Sequence, residues 1–165
     1  MAMNRRFFMG VTGGLAASVA AQGGKRRVRL GGRCFLKSRD PEALAAWHVV
    51  RGYGAAYCPG FATLEDTAEL AEIEGAFSKA DVVIAEVGRW CNLMDQKPAA
   101  RKANIEKVTE GLALADAVGA RCCVDIAGSF NEEDWAGPHP KNVSEEFFDL
   151  AVENARKIID AVRPK

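Results

Sequence analysis

The chain has 165 residues, with 22 basic and 22 acidic side chains and a hydrophobic fraction of 48%. This balance of charge argues against a protein that binds nucleic acid or a membrane surface, and the hydrophobic fraction is ample for a packed core. No segment is low in complexity and no linker divides the chain, so one domain is expected.

The first 21 residues have the features of a twin-arginine signal peptide. Arg5 and Arg6 stand in the segment NRRFFM, and a mildly apolar run rich in glycine and alanine follows at 10–21. Small residues at its end supply a cleavage site. The alternative is a basic N-terminus with a chance arginine pair. We expect a periplasmic or secreted protein with residues 22–165 as its folded domain, since the apolar run is too short for a membrane span.

Strand and helix patterns alternate along the first half of this domain. A short strand is predicted at 28–30, and Asp40 caps a helix that begins at Pro41. A second strand at 55–58 ends at a proline–glycine pair. Thr63, with Asp66 three residues later, resembles a capping box for the second helix. A third strand is predicted at 81–86.

The second half of the domain repeats the alternation. Pro98 begins a long helix, and Gly119 stands where a left-handed helix end favours glycine. A fourth strand at 122–126 is followed by a loop of about 17 residues, a length that suggests function. Ser144 caps the last helix, whose apolar stripe is formed by Phe148, Ala151, Val152, Ala155, Ile158, Ile159 and Val162.

Five cysteines, Cys34, Cys58, Cys91, Cys122 and Cys123, show no spacing typical of a metal site. We interpret them as small buried hydrophobic residues. The last two are neighbours on a predicted strand, so their side chains should point to opposite faces and should not form a disulfide with each other.

Four strands and four helices in strict alternation predict an α/β domain with a parallel sheet. Two architectures share this pattern. One is an open, doubly wound sheet, nearly complete at this length. The other is a (β/α)₈ barrel, which needs roughly 200–250 residues and would be only half present. Periodicity alone does not choose between them.

Four stretches of sequence favour the barrel. They are VVIAEVGRW at 82–90, GLALAD at 111–116, GARCCV at 119–124 with IAGS at 126–129, and WAGPHP at 135–140. In order and spacing they resemble the N-terminal half of the sugar phosphate isomerase/epimerase family, the xylose-isomerase-like TIM barrels. The resemblance implies that residues 22–165 form the first four β/α units of a TIM barrel.

The family resemblance also implies a metal-assisted reaction. A divalent metal (Mn, Mg, Zn or Co) at the barrel mouth is held by Glu, Asp, His and Glu ligands from strands five to eight, and a carboxylate base removes a proton beside a carbonyl. A metal that holds two adjacent substrate oxygens stabilises the enediolate formed. No ligand or base transfers to this sequence, so we expect this chain alone to bind no metal and to be inactive, with the chemistry in a C-terminal half.

Seven residues at the ends of the predicted third and fourth strands, or in the loops that follow them, are candidates for binding a sugar or a similar polyhydroxy molecule, because these positions line the barrel mouth. They are Glu86, Trp90, Asn92, Asp125, Gly128, Ser129 and His139.

Each candidate also has a structural alternative. Glu86 could pair with Arg89, and Asp125 could pair with Arg29. Trp90 could simply cover the barrel rim, the glycine–serine pair could form only a turn, and the histidine could serve loop packing. His48, on the first helix, is interpreted as structural.

Two other functions fit the same fold. A metal-dependent hydrolase of the endonuclease IV kind would need a basic groove and more histidine ligands than this sequence has. A non-catalytic half-barrel could instead act as a binding module that dimerises through its open strand edges, which makes a homo-oligomer an expected form.

Overall fold

The computed structural model describes residues 28–165, and the predicted signal peptide lies outside them. Four strands and four helices alternate in this part of the chain, as predicted. They are β1 (Gly31–Gly32), α1 (Pro41–Val50), β2 (Ala55–Tyr57), α2 (Thr67–Lys79), β3 (Val83–Gly88), α3 (Pro98–Ala117), β4 (Cys122–Val124) and α4 (Glu145–Val162), with a 3₁₀ turn at Pro140–Val143 before α4.

The strand order decides between the two architectures. All four strands are parallel and lie in the order β1-β2-β3-β4. A doubly wound sheet would add later strands on both sides of β1, whereas a (β/α)₈ barrel adds each strand beside the one before it. The described domain therefore has the arrangement of half a TIM barrel.

One face of the sheet is covered by helices and holds the core. Ile73 and Phe77 of α2 are fully buried, and they join Ala56 of β2 and Ile84 and Val87 of β3 in one apolar cluster. Burial of each large side chain stabilises the fold by about 1.5–3 kcal/mol. We call the opposite side of the sheet the open face.

The first strand begins later than predicted. Val28 and Leu30 are exposed, and the strand consists of Gly31 and Gly32. A Cβ at Gly31 would lie 2.9 Å from the Cβ of Ala55 on β2. The two strands approach so closely that only a residue without a side chain fits, and a pattern of apolar residues gives no sign of this.

The third strand is also displaced toward the C-terminus. Asp81 has φ +54, and the amide of Val82 still bonds the carbonyl of Phe77 at the end of α2. The chain therefore becomes extended only at Val83. It continues past the predicted end because Val87 and Gly88 pair with Cys123 and Val124 of β4.

The helix caps follow the sequence closely, with one correction. Asp40 caps α1, and Ser144 caps α4 through a bond from the amide of Phe147. The capping box predicted at Thr63 is wrong, because α2 begins at Thr67 and Asp66 itself is the cap, accepting a bond from the amide of Glu69 at 2.9 Å.

The five cysteines are free thiols with different surroundings. Cys91 is buried, while Cys34, Cys58 and Cys123 are half-buried. Burial raises the pKa of Cys58 and Cys91 to about 11. Cys122 is exposed, so the prediction that all five are buried is wrong for this residue. Its neighbour on β4 packs against the core, which places the two on opposite faces as predicted.

None of the helices within residues 28–165 is long and apolar enough to cross a membrane.

The corrected cap of α2 gives a testable prediction. Asp66→Ala removes the side-chain oxygen that accepts from the amide of Glu69 in the first turn of α2, so we expect it to lower the free energy of unfolding by about 1 kcal/mol. Thr63→Ala is the matched control and should leave stability unchanged within about 0.5 kcal/mol. Urea unfolding of both variants measures the difference, and an equal loss in the two would contradict this assignment.

Candidate active-site face

An extra residue in β3 determines which way Glu86 faces. Ala55 pairs with Val83 and Ala56 with Ile84, but Tyr57 pairs with Glu86, so Ala85 has no partner on β2. An inserted residue of this kind reverses the alternation of side chains that follows it. Ile84 points into the core before the insertion and Val87 does so after it, which leaves Glu86 on the open face.

Glu86 is the centre of a row that crosses three strands. Its register partners are Tyr57 on β2 and Cys122 on β4. Paired residues on parallel strands project to the same side of the sheet. Tyr57 is 51% exposed and Cys122 is also exposed, as expected for side chains that no helix covers.

Trp90 extends this row toward the carboxyl ends of the strands. It lies two residues beyond Gly88, which faces the same side as Glu86. The indole Nε1 stands 2.9 Å from the position that a Cβ at Gly88 would take. The indole therefore rests where a side chain of the strand would have been, and 53% of the residue is exposed.

The carboxylate of Glu86 does not form the ion pair that we considered from the sequence. The ion pairs of the described residues do not include it. Arg89 instead lies along α3, where its Cγ would collide with a Cβ at Gly111, and its guanidinium donates to the carbonyl of Gly88. The carboxylate on the open face is thus available to a ligand.

Asn92 joins the two long loops that follow β3 and β4. Its amide nitrogen donates to the carbonyl of Ser129 at 2.8 Å, and its Oδ1 accepts from the amides of Ser129 and Met94, both at 2.9 Å. Both Asn92 and Ser129 are buried. The loops on the two strands are therefore held at a fixed separation.

Gly128 makes this junction sterically feasible. Its φ is +99, and a Cβ there would overlap with Oδ1 of Asn92. Ser129 completes the junction with its hydroxyl, which donates to the carbonyl of Gly137 at 2.7 Å and accepts from Asn142 at 2.9 Å. The polar groups of Asn92 and Ser129 are thus used within the protein, and direct contact of these residues with a substrate stays a prediction.

Asp125 is tied to the loop after β3 and not to Arg29. Its Oδ1 accepts from the backbone amide of Cys91 at 3.0 Å, while Arg29 forms an ion pair with Asp81 at 2.7 Å. The sequence-based pairing of Asp125 with Arg29 is therefore wrong. Burial raises the pKa of Asp125, and the bond from the Cys91 amide opposes that rise.

The two histidines have separate structural partners. His139 lies in the loop after β4, where its Nδ1 accepts from the amide of Lys141 at 3.2 Å and its ring meets Phe130 edge-on. His48 is buried, with Nδ1 2.8 Å from the carbonyl of Leu44, in agreement with a structural role.

A cavity of about 310 Å³ adjoins the row at Tyr57. It lies beyond the carboxyl ends of β1 and β2, between the loops that follow them. Arg33, Ser38 and Cys58 contribute polar groups to it, and Phe61 contributes an aromatic wall. Leu44 and His48 of α1 and Phe77 of α2 also line it, so the cavity extends from this row toward the helices.

Sequence reasoning missed Tyr57 as a site residue. The sequence predicts a strand that ends at Cys58, with Tyr57 inside it, although Tyr57 stands only two residues before the proline–glycine turn at 59–60. That position, at the last residue of a parallel strand, is the signal that could have identified it.

The family resemblance implies a divalent metal centre. No three His, Cys, Asp or Glu side chains within residues 28–165 come together as a metal ion would require.

The loop junction yields a mutational prediction. Gly128→Ala places a methyl group on Asn92 Oδ1 and imposes a strained backbone, so we expect a loss of roughly 2–4 kcal/mol in the free energy of unfolding. Gly60→Ala is the matched control, since a Cβ there would meet nothing within 4 Å. Thermal unfolding of both variants measures the difference in stability. A Gly128→Ala protein as stable as the control would contradict the close contact between Gly128 and Asn92.

Comparison with known proteins identifies a structural relative at low sequence identity. No protein-family model and no curated protein matches the chain. Among solved structures, four chains match, and one is the apo form of the 3-keto-D-glucoside 4-epimerase YcjR from E. coli. The TM-score is 0.56 at 10% identity, over 82% of this chain and 52% of that one. The chain thus shares its fold with about half of this sugar epimerase.

Proposed function

We propose that this chain is the N-terminal half of a sugar isomerase or epimerase of the TIM-barrel type, and that its open face contacts the sugar. The observation that carries the proposal is the row of Tyr57, Glu86 and Trp90 on the open face, at the carboxyl ends of β2 and β3. The likeness of the chain's fold to half of a sugar epimerase supports the same assignment.

The three side chains supply complementary contacts for a polyhydroxy ligand. A carboxylate such as that of Glu86 accepts hydrogen bonds from two neighbouring hydroxyls, and the phenol of Tyr57 both donates and accepts. The indole of Trp90 offers a rigid apolar surface with one polar edge, which suits the C–H face of a pyranose ring. A ligand held in this way would be oriented by the protein before any bond changes.

The proton transfer itself is assigned to the other half of the barrel. A divalent metal bound there would supply electrostatic stabilisation, and a carboxylate there would act as the base. The residues described here would bind and orient the substrate. We also propose export by the twin-arginine route, on the strength of the sequence at 1–21.

Measuring sugar binding by the 165-residue chain tests whether this half of the barrel binds the substrate while the other half carries the chemistry. We expect methyl β-D-glucoside and its 3-keto form to bind with measurable affinity, and to shift the backbone amide resonances near residues 57, 86 and 90 in ¹⁵N-resolved NMR. Glu86→Gln should weaken binding by roughly tenfold or more, since a hydrogen bond to a charged group contributes about 1.5–3 kcal/mol. Trp90→Ala should weaken it as well.

Two matched controls separate a site from a general effect. Trp135→Ala removes another partly exposed indole from the loop after β4, and Glu72→Gln neutralises an exposed carboxylate on α2. Both should bind as the parent chain does. Equal losses in controls and site variants, or no binding at all, would disprove the proposed face. Turnover by this chain with added Mn²⁺ would overturn the assignment of the chemistry to the other half.

A further inference from the structure

The cavity of about 310 Å³ beyond β1 and β2 is built from the first part of the described domain. Its walls come from residues 33–61 and from Phe77 of α2. In a barrel that adds each strand beside the one before it, further strands would lie beyond β1 and β4, and not between β1 and β2. The cavity therefore belongs to this half of the barrel, whatever completes the sheet.

Most of the cavity wall is apolar. Five of its side chains supply hydrocarbon surface, namely Leu36, Leu44, Pro59, Phe61 and Phe77. The ring of Phe61 is held by Arg39, whose guanidinium lies 4.6 Å from the ring centre and forms an ion pair with Glu69 at 2.7 Å. The cavity thus presents two phenyl rings, one of which is fixed from outside the cavity.

The polar side chains of the wall already have partners in the protein. Both ring nitrogens of His48 lie within hydrogen-bond distance of backbone carbonyls, at 2.8 and 3.3 Å. The hydroxyl oxygen of Ser38 accepts from a backbone amide at 3.0 Å. The thiol of Cys58 donates to a backbone carbonyl at 3.7 Å, and burial raises its pKa to about 11, so it is neutral at neutral pH. The wall therefore suits an apolar group.

The charge of the wall is consistent with a ligand group that carries no positive charge. Arg33 lines the cavity, its guanidinium lying 5.9 Å from the ring centre of Phe35. The described residues that line the cavity include no carboxylate. A cationic group would thus meet a like charge and no opposite one.

Tyr57 connects this cavity with the proposed sugar-binding row. It lines the cavity, and it is also the register partner of Glu86 on the open face. A substituent of a sugar bound on the row can therefore enter the cavity beside Tyr57. An apolar cavity of about 150 Å³ is enough to bind benzene, so this one has room for a substituted ring. Phenyl rings in a wall favour an aromatic ligand through edge-on and offset-stacked contacts.

We infer that this cavity holds an aromatic aglycone, so that the substrate of the site is an aryl glycoside. The inference rests on the proposed function, because it takes the sugar to lie on the row of Tyr57, Glu86 and Trp90. It adds a second binding site for the part of the substrate beyond the sugar ring.

The binding of two glucosides by the 165-residue chain tests the inference. Calorimetric titration should give a dissociation constant for phenyl β-D-glucoside roughly tenfold or more below that for methyl β-D-glucoside, because the ring leaves water. Nuclear Overhauser effects should connect the phenyl protons with the methyl groups of Leu36 and Leu44. Phe61→Ala should abolish most of the preference for the phenyl glucoside and leave binding of the methyl glucoside unchanged.

Phe35→Ala is the matched control, since Phe35 is an exposed phenyl ring outside the cavity wall. It should bind both glucosides as the parent chain does. Leu36→Asp is a second test at an exposed position of the wall, where a substitution should be tolerated, and it should weaken only the phenyl glucoside. Circular dichroism should show all three variants folded.

Two results would overturn the inference and leave the sugar-binding face intact. One is equal affinity of the parent chain for the two glucosides. The other is a preference for the phenyl glucoside that survives both Phe61→Ala and Leu36→Asp, because the ring would then bind elsewhere. If neither glucoside binds the parent chain, the sugar-binding face is disproved, and this inference with it.

Discussion

The unpaired Ala85 in β3 is the constraint on which the candidate site depends. One extra residue lets Ile84 and Val87 both enter the core, although a regular strand would place them on opposite faces. The core determines the register, and the register places Glu86 on the open face. Burial of these two side chains stabilises the fold by about 1.5–3 kcal/mol each, and it thereby determines the direction of the Glu86 carboxylate.

A group of buried polar contacts fixes the loops that follow β3 and β4. The side chain of buried Asn92 makes two hydrogen bonds with Ser129 in the loop after β4 and one with Met94 in its own loop, and it has room only because Gly128 has no side chain. A buried polar group of this kind is costly unless every atom is satisfied, and here it is. These hydrogen bonds anchor the loop after β3, which carries Trp90, to the loop after β4.

The sequence predicted the repeating pattern but not its details. Proline and cap residues such as Asp40, Pro98 and Ser144 determined the helix starts, because local chemistry dictates them. The strand limits could not be predicted, since β1 depends on the contact of Gly31 with a distant strand. Neither could the orientation of Glu86, because a one-residue insertion is visible only against its partner strand. Three of the seven candidate residues, Asn92, Asp125 and Ser129, bond across the loops after β3 and β4, and Tyr57 was not among the candidates.

A crystal structure of the chain would test the central claim most directly, through the direction of one side chain. We predict that Tyr57, Glu86 and Cys122 stand side by side on the face opposite α1, α2 and α3, with Ala85 unpaired and Val87 in the core. A regular β3, with Glu86 pointing toward α3 and Val87 on the open face, would contradict this account and remove the proposed sugar-binding surface.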